Sequence, residues 1–503
     1  MHISRRQIAI ALVVALLLGA HTVRADEPTP NREETWQSLA LRGQRIGYGH
    51  LIETRETRDG KAVIRTDMRV HTVMKRFDGK LTLIIEQQVS EDAAGNLQDF
   101  TFRLDNPPAS HMEMTGRVVG QVLELQTVAG GKTTETKLPF EGELPSPVFV
   151  DRMLEESPLA KNESRVVSLF DPQLGAIASV KATGRGPAEF ELPSGAKQRG
   201  THAVVEFLSG IPGLSIDCYF DASGDSVLNE SPLLGTTTWN VTREEALAEI
   251  PADIDIGLSA LIRVSDFPRS PRPESITYRI ALPDGIPDSL IPEAATQRVE
   301  RVDDHTVDVT VASIRPQALP DESTAKATTD PTYLASTAMA KSDDDAIVRL
   351  AREAAPEDAA SSVVAVALEK RVHTWLNRKN MSTNLATASE VVRSREGDCT
   401  EHAVLLTALL RARKIPARTV VGLVYWGEYS AFAGHAWAEA WLNGRWVPLD
   451  ATQAQGGIGV DHIKLGDSSL ADGDAGMIAA SVSTWRLLDK AQIEIVSPAK
   501  ESR

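Results

Sequence analysis

The chain has 503 residues, 42% of them apolar and 24% charged, with a formal net charge of −16. That length is too great for one hydrophobic core and predicts roughly two to four domains of ordinary globular composition. No segment concentrates Lys or Arg, so the acidic balance argues against a nucleic-acid partner and against docking on anionic membranes.

Residues 1–25 have the layout of a secretory leader. Arg5-Arg6 supplies a positive start, Ile8 to Ala20 an apolar run, and Val23-Arg24-Ala25 a cleavage site before Asp26. The apolar run, about 13 residues, is short for a membrane span, although an uncleaved anchor remains the alternative. Ser4-Arg5-Arg6 is only faintly like a twin-arginine signal, and no Cys follows the run to accept a lipid. The expected product is periplasmic or secreted, with no stable membrane insertion once the leader is removed.

Residues 26–250 alternate polar and apolar positions between hairpin signals at Asp59-Gly60, Asp78-Gly79, Ala94-Gly95-Asn96, Gly130-Gly131 and Ser223-Gly224-Asp225. Long runs such as Lys61 to Lys75 and Lys80 to Val89 predict an antiparallel β domain, a large sheet or half-barrel. Asn106 to Met114 and Pro145 to Ser157 interrupt it, the second with a short helix. Residues 251–323 predict a small β module with strands near Ser275–Ala281 and Thr306–Ala312, and Leu319 to Thr332 has linker composition. Within residues 324–503 the periodicity turns helical over Asp343–Glu353 and Ser361–Leu376, where Leu368, Val372, Trp375 and Leu376 form an apolar stripe.

Cysteine usage is sparse: only Cys218 and Cys399. Cys218 falls in a strand-like run, Leu214 to Phe220, where a lone Cys is packing. A bridge between the two would silence a nucleophile, but they lie in different predicted domains and disulfide geometry is demanding. Cys399 follows Asp398, with Glu401 after it, a capping-box pattern that starts a helix at the thiol. There the thiol meets unpaired N–H groups and the positive end of the helix dipole, which favour thiolate.

Downstream, Asn443-Gly444 between alternating runs predicts a two-residue hairpin pairing Leu442 with Arg445. Extending that register sets Trp437 opposite Asp450 and His435 opposite Thr452. His435 and Asp450 then share a face as diagonal neighbours, and a slip of one residue would separate them. Cys399, His435 and Asp450 are the candidate nucleophile, base and orienting acid of thiol acyl transfer.

Gly397-Asp398-Cys399-Thr400-Glu401-His402-Ala403, Ile415-Pro416-Ala417-Arg418, Gly434-His435-Ala436-Trp437 and Trp446-Val447-Pro448-Leu449-Asp450 together resemble the bacterial transglutaminase-like superfamily. The resemblance covers roughly residues 330–465. It implies an α+β fold in which a papain-like C-terminal domain follows the antiparallel β region. It also implies acyl transfer through a thioester, with the thiolate attacking a glutamine carboxamide or peptide amide, and leaves amine or water open as acceptor. The expected partner is a protein or peptide of the cell envelope, and no cofactor is expected.

The remaining candidates carry blander readings. His402 and Glu401 are expected as packing and capping residues, since one Cys-x-x-His pair is two ligands short of a zinc site. Glu439 shares the His435 face and either touches substrate or is solvated. The Gly427–Gly434 segment is expected to be a loop, with Tyr429 and Phe432 as candidate substrate contacts. Trp375 and Asn384 are guesses for a second oxyanion donor, and Asp461-His462 is assigned no chemistry. Asp343-Asp344-Asp345 is expected as an acidic helix start. The competing reading of the whole chain is an envelope binding or scaffold protein with a vestigial domain.

Overall fold

The computed structural model describes residues 32–498 apart from 77–78, 108–109, 130, 212, 252–254, 256–257, 259, 266, 269–272, 319–329, 379–385, 472–475 and 489. The leader, most of the predicted linker, and Asn384 lie outside the described residues. The chain divides into two compact units, with the boundary at Ile254–Asp255.

The first unit is a 14-stranded antiparallel sheet made of two meanders. Eight strands, from Arg32–Leu41 to Lys132–Pro139, each pair with the next in sequence, and six, from Ser164–Asp171 to Thr236–Val241, do the same. The first and last strands join the meanders, with Trp36 opposite Val241 and Leu41 opposite Thr236. Local alternation predicts the hairpins and is silent on this closing pair. Burial alternates along Gly79–Asp92, as a sheet with one covered face requires. At the expected interruption, Asn106–Met114, two paired strands meet instead, Leu97–Asn106 and Ser110–Val119, with Asn106 opposite Ser110.

The helix Phe149–Glu156 sits between the meanders in sequence and buries Val150, Met153 and Leu154. Its Arg152 is also buried, ion-paired with Glu91 and, at 3.6 Å, with Glu53. The Ser146 hydroxyl donates to Glu91 at 2.5 Å. Three buried charges are tolerated because they compensate one another.

The second unit holds two sheets and five α-helices among the described residues. The segment read as a small β module gives three strands of one sheet, Gln297–Asp303, Thr306–Ala312 and Ser275–Ala281; that sheet's fourth strand, Gln492–Pro498, returns from the far end of the chain. The other sheet runs Ile262–Arg263, Ala431–Leu442, Ala417–Trp426, His462–Ser468, and Arg445–Leu449 pairs with the end of Ala431–Leu442. Its core joins Leu368 and Val372 of the helix Ser361–Trp375, Leu405 and Leu409 of the helix Cys399–Ala412, and Val421, Ala438 and Val447 of the strands. The fold is α+β and mostly β. No described helix is long and apolar enough to cross a membrane.

Candidate active site

The helix Cys399–Ala412 begins at the thiol because Asp398 caps it: its carboxylate accepts from Thr400 N–H at 3.0 Å. Glu401 completes the box by accepting from Asp398 N–H at 2.9 Å and also takes Ala386 N–H at 3.1 Å. Burial, with Asp398 alongside, pushes the Glu401 carboxyl well above its ordinary range. Gly397 has φ +146°, and a Cβ there would lie 2.3 Å from Glu401 Cβ, so the box leaves no room for a larger residue.

The thiol docks on an unpaired stretch of strand. Along the outer edge of Ala431–Leu442, Ile262–Arg263 covers Ala431 and Phe432, and Arg445–Leu449 covers Ala438 onward. Between them Ala436 N–H points away from the sheet and donates to Cys399 Sγ at 3.3 Å. The sulfur thus meets both a helix N-terminus and a backbone donor, two features that favour thiolate. In this structure Cys399 has no exposed surface.

Asn443 and Gly444 adopt φ +50° and +75°, the left-handed pair that a type I′ turn requires. The pairing runs from Leu442–Arg445 through Trp441–Trp446 and Glu439–Pro448 to Ala438–Leu449, as predicted, and stops there. Trp437–Asp450 and His435–Thr452 are therefore not ladder partners. His435 and Asp450 still meet, His435 Nε2 lying 3.1 Å from Asp450 Oδ2.

A carboxylate outside the ladder takes over its role. Glu369, buried on the helix Ser361–Trp375, accepts Asp450 N–H at 3.0 Å, Gly456 N–H at 2.8 Å and Gly457 N–H at 3.1 Å. Burial raises its pKa to about 7. Thr452 N–H then fixes Asp450 Oδ1 at 2.8 Å. Glu369 carries no motif, and only its place as a lone charge among helix core positions marks it in the sequence.

With Nε2 directed at Asp450, His435 Nδ1 is left buried with no hydrogen-bond partner among the described residues. That is the tautomer a general base needs: N–H toward the carboxylate, lone pair free.

Several secondary expectations are overturned. Asp461-His462, assigned no chemistry, lies against the acid: His462 Nδ1 is 2.9 Å from Asp461 Oδ1, and its Nε2 is 3.4 Å from the Asp450 oxygen that His435 uses. Glu439 is neither solvated nor open to substrate, because Lys464 and Arg418 hold it in a buried ion-pair network. Phe432 is buried on a strand against Tyr278 and Tyr425, so the expected loop shrinks to the turn at 427–430. Trp375 Nε1–H is committed to Val392 O at 3.0 Å. His402 Nδ1 contacts Asp398 O at 2.5 Å, a packing role as expected. Both thiols are free, with no bridge between them.

Burial would raise the Asp450 carboxyl, but the charges and hydrogen bonds of His435 and His462 hold it well below the usual carboxylate range. His462 is the reverse: burial would lower it, yet Asp461 and Asp450 raise it to about 9. Ligand atoms of His435, Asp450 and His462 lie within 4.8 Å of one another, a spacing open to a metal ion. The hydrogen bonds converging on Asp450 account for the cluster without one.

The structure thus places a thiol at a helix start, held by Ala436 N–H, and on the preceding strand residue an imidazole held by a carboxylate, in an α+β fold. Residues 348–451 match the family model of the transglutaminase-like superfamily, so the chain contains a transglutaminase-like domain. No curated protein matches the chain. Among solved structures it is similar to a candidate cysteine protease from Cytophaga hutchinsonii, at 17% identity over 44% of this chain and 83% of that one, TM-score 0.30. It is also similar to a β-barrel-like protein, of a domain of unknown function, from Brucella abortus, at 11% identity over 42% and 94%, TM-score 0.30. A candidate protease from Parabacteroides distasonis follows, at 12% identity over 68% and 64%, TM-score 0.18.

Proposed function

We propose that the second unit is a thiol-dependent acyl transferase or hydrolase, exported by the leader at residues 1–25, acting on envelope proteins or peptides. His435 Nδ1 takes the Cys399 proton, and the thiolate attacks a glutamine carboxamide or peptide amide carbon. The Cys399 N–H at the helix start donates to the oxyanion. His435 returns the proton to the leaving ammonia or amine, giving a thioester. An amine or water then attacks the thioester, regenerating the thiol. The observation that carries this reading is the free Nδ1 of a histidine whose other nitrogen is held by Asp450, next in sequence to Ala436, whose N–H holds the Cys399 thiol.

Full burial of Cys399 favours the second reading, a binding protein whose thiol is occluded. Incubation with glutamine-bearing peptides and a fluorescent primary amine separates the two. Cys399-dependent release of ammonia, or cleavage of the peptide, supports the enzyme, and amine incorporation identifies transfer over hydrolysis. Products identical in the Cys399→Ser protein would leave the binding reading standing.

A further inference from the structure

We propose that His462 is a positioning residue for the thiol site, a second histidine that holds the same Asp450 oxygen as His435 and lends it a positive charge; this rests on the acyl-transfer reading above. Asp450 Oδ2 faces two imidazole nitrogens at once, His435 Nε2 at 3.1 Å and His462 Nε2 at 3.4 Å. The rings are tilted with centroids 5.7 Å apart, and Trp437 packs edge-on against His462 at 5.3 Å. A ring nitrogen facing a carboxylate on each side must donate on each side, so His462 is an imidazolium. All these side chains are buried, so the charge acts with little screening.

The charged groups around His462 come from each neighbouring element. Asp461 precedes its strand, which carries Lys464 and Asp467; the Arg445–Leu449 strand leads into Asp450; Ala431–Leu442 contributes His435 and Glu439; and Ala417–Trp426, which pairs with His462 at Val424, contributes Arg418. Lys464 and Arg418 pair with Glu439 and Asp467, two charges of each sign that neutralise one another. Asp461 and Asp450 are left to share His462, which agrees with its raised pKa of about 9.

A fixed cation beside the base changes the chemistry in a definite direction. Asp450 alone would pin a proton on His435 strongly; shared with His462, it orients the ring with less pull. Removing the His462 charge makes every nearby proton harder to lose. The midpoint for Cys399 ionisation then moves up, by about one pH unit. A residue that merely packs would lower the amount of competent site and leave the midpoint in place. His462 lies past the end of the segment that matches the family model.

The test is thiolate absorbance against pH, wild type minus Cys399→Ser, repeated in His462→Gln and Asp461→Asn, with circular dichroism to establish folding. This readout needs no substrate, so it stands even if peptide turnover, measured alongside, is absent and the acyl-transfer reading fails. Expected is an upward shift of about one unit in His462→Gln and a smaller shift of the same sign in Asp461→Asn. A titration in folded His462→Gln that superimposes on wild type overturns the proposal. If His462→Gln does not fold, Asp461→Asn decides alone: an unshifted midpoint there overturns it equally.

Discussion

Each unit has a histidine bonded to an aspartate and a cysteine close by along the chain or on a facing element, and the two sets present their thiols differently. In the large sheet, Asp217 and Cys218 are consecutive, and His202 Nε2 contacts Asp217 Oδ1 at 2.7 Å while stacking on Tyr219. Period-two alternation defeats this set, because Cys218 pairs with Ala203 and points to the opposite face from His202 and Asp217. Its thiol lies among Val150, Val205 and Phe207, and burial, with Asp151 and Asp217 nearby, pushes it well above the ordinary range. Cys399 instead sits at a helix start and reaches across to a strand edge, where Ala436 N–H, one residue from His435, holds its sulfur. Proximity in sequence and a good His–carboxylate bond do not make a site. The faces decide.

The strongest way to break this contrast is to exchange the two cysteines' fates. Cys399→Ser is expected to lower turnover of a glutamine peptide by about 10³-fold or more, and Cys218→Ser to leave it within about twofold. Equal losses in the two variants would end the distinction. Asp450→Asn should cost about 10²- to 10⁴-fold in kcat with the fold intact, because the amide does not hold the Nε2–H tautomer. His202→Ala, its counterpart in the sheet, should leave kcat unchanged.

The buried ions of the two units sharpen the comparison further. Arg152→Ala leaves buried Glu91 without its ion-pair partner, while Glu53 keeps Arg55, and should cost about 3–5 kcal/mol in denaturant unfolding. The His462 network predicts a pH signature. Its folded pKa of about 9 exceeds the unfolded histidine value, so its stabilisation is full below about pH 6.5 and is lost as pH rises through 9. That amounts to at most about 3 kcal/mol, and His462→Gln should flatten the alkaline slope of unfolding free energy. Asp450 acts oppositely: its depressed pKa gives stability present above about pH 4 and lost as pH falls through the folded value.

Local chemistry made much of this legible in the sequence. The capping box at Asp398 and Glu401 and the Asn443-Gly444 turn are short-range patterns with one physical solution each, and the hairpin register through Leu449 followed from the turn. What escaped depends on distant residues. Glu369 and His462 reach Asp450 from a separate helix and a separate strand, and neither has a neighbour in sequence that announces it. The junction of the first and fourteenth strands and the return of Gln492–Pro498 are long-range pairings of the same kind. Phe432 was misread because a two-residue strand, Ile262–Arg263, pairs with it and extends the sheet where a loop was expected.

The most direct test of the central claim is to trap the acyl intermediate. The protein is incubated with a glutamine peptide, quenched in acid, and its mass and the modified residue are read by mass spectrometry. The account predicts a peptide thioester on Cys399, formed with loss of ammonia, present in Cys218→Ser and absent in Cys399→Ser. An adduct on Cys218, or turnover that persists in Cys399→Ser, would contradict it.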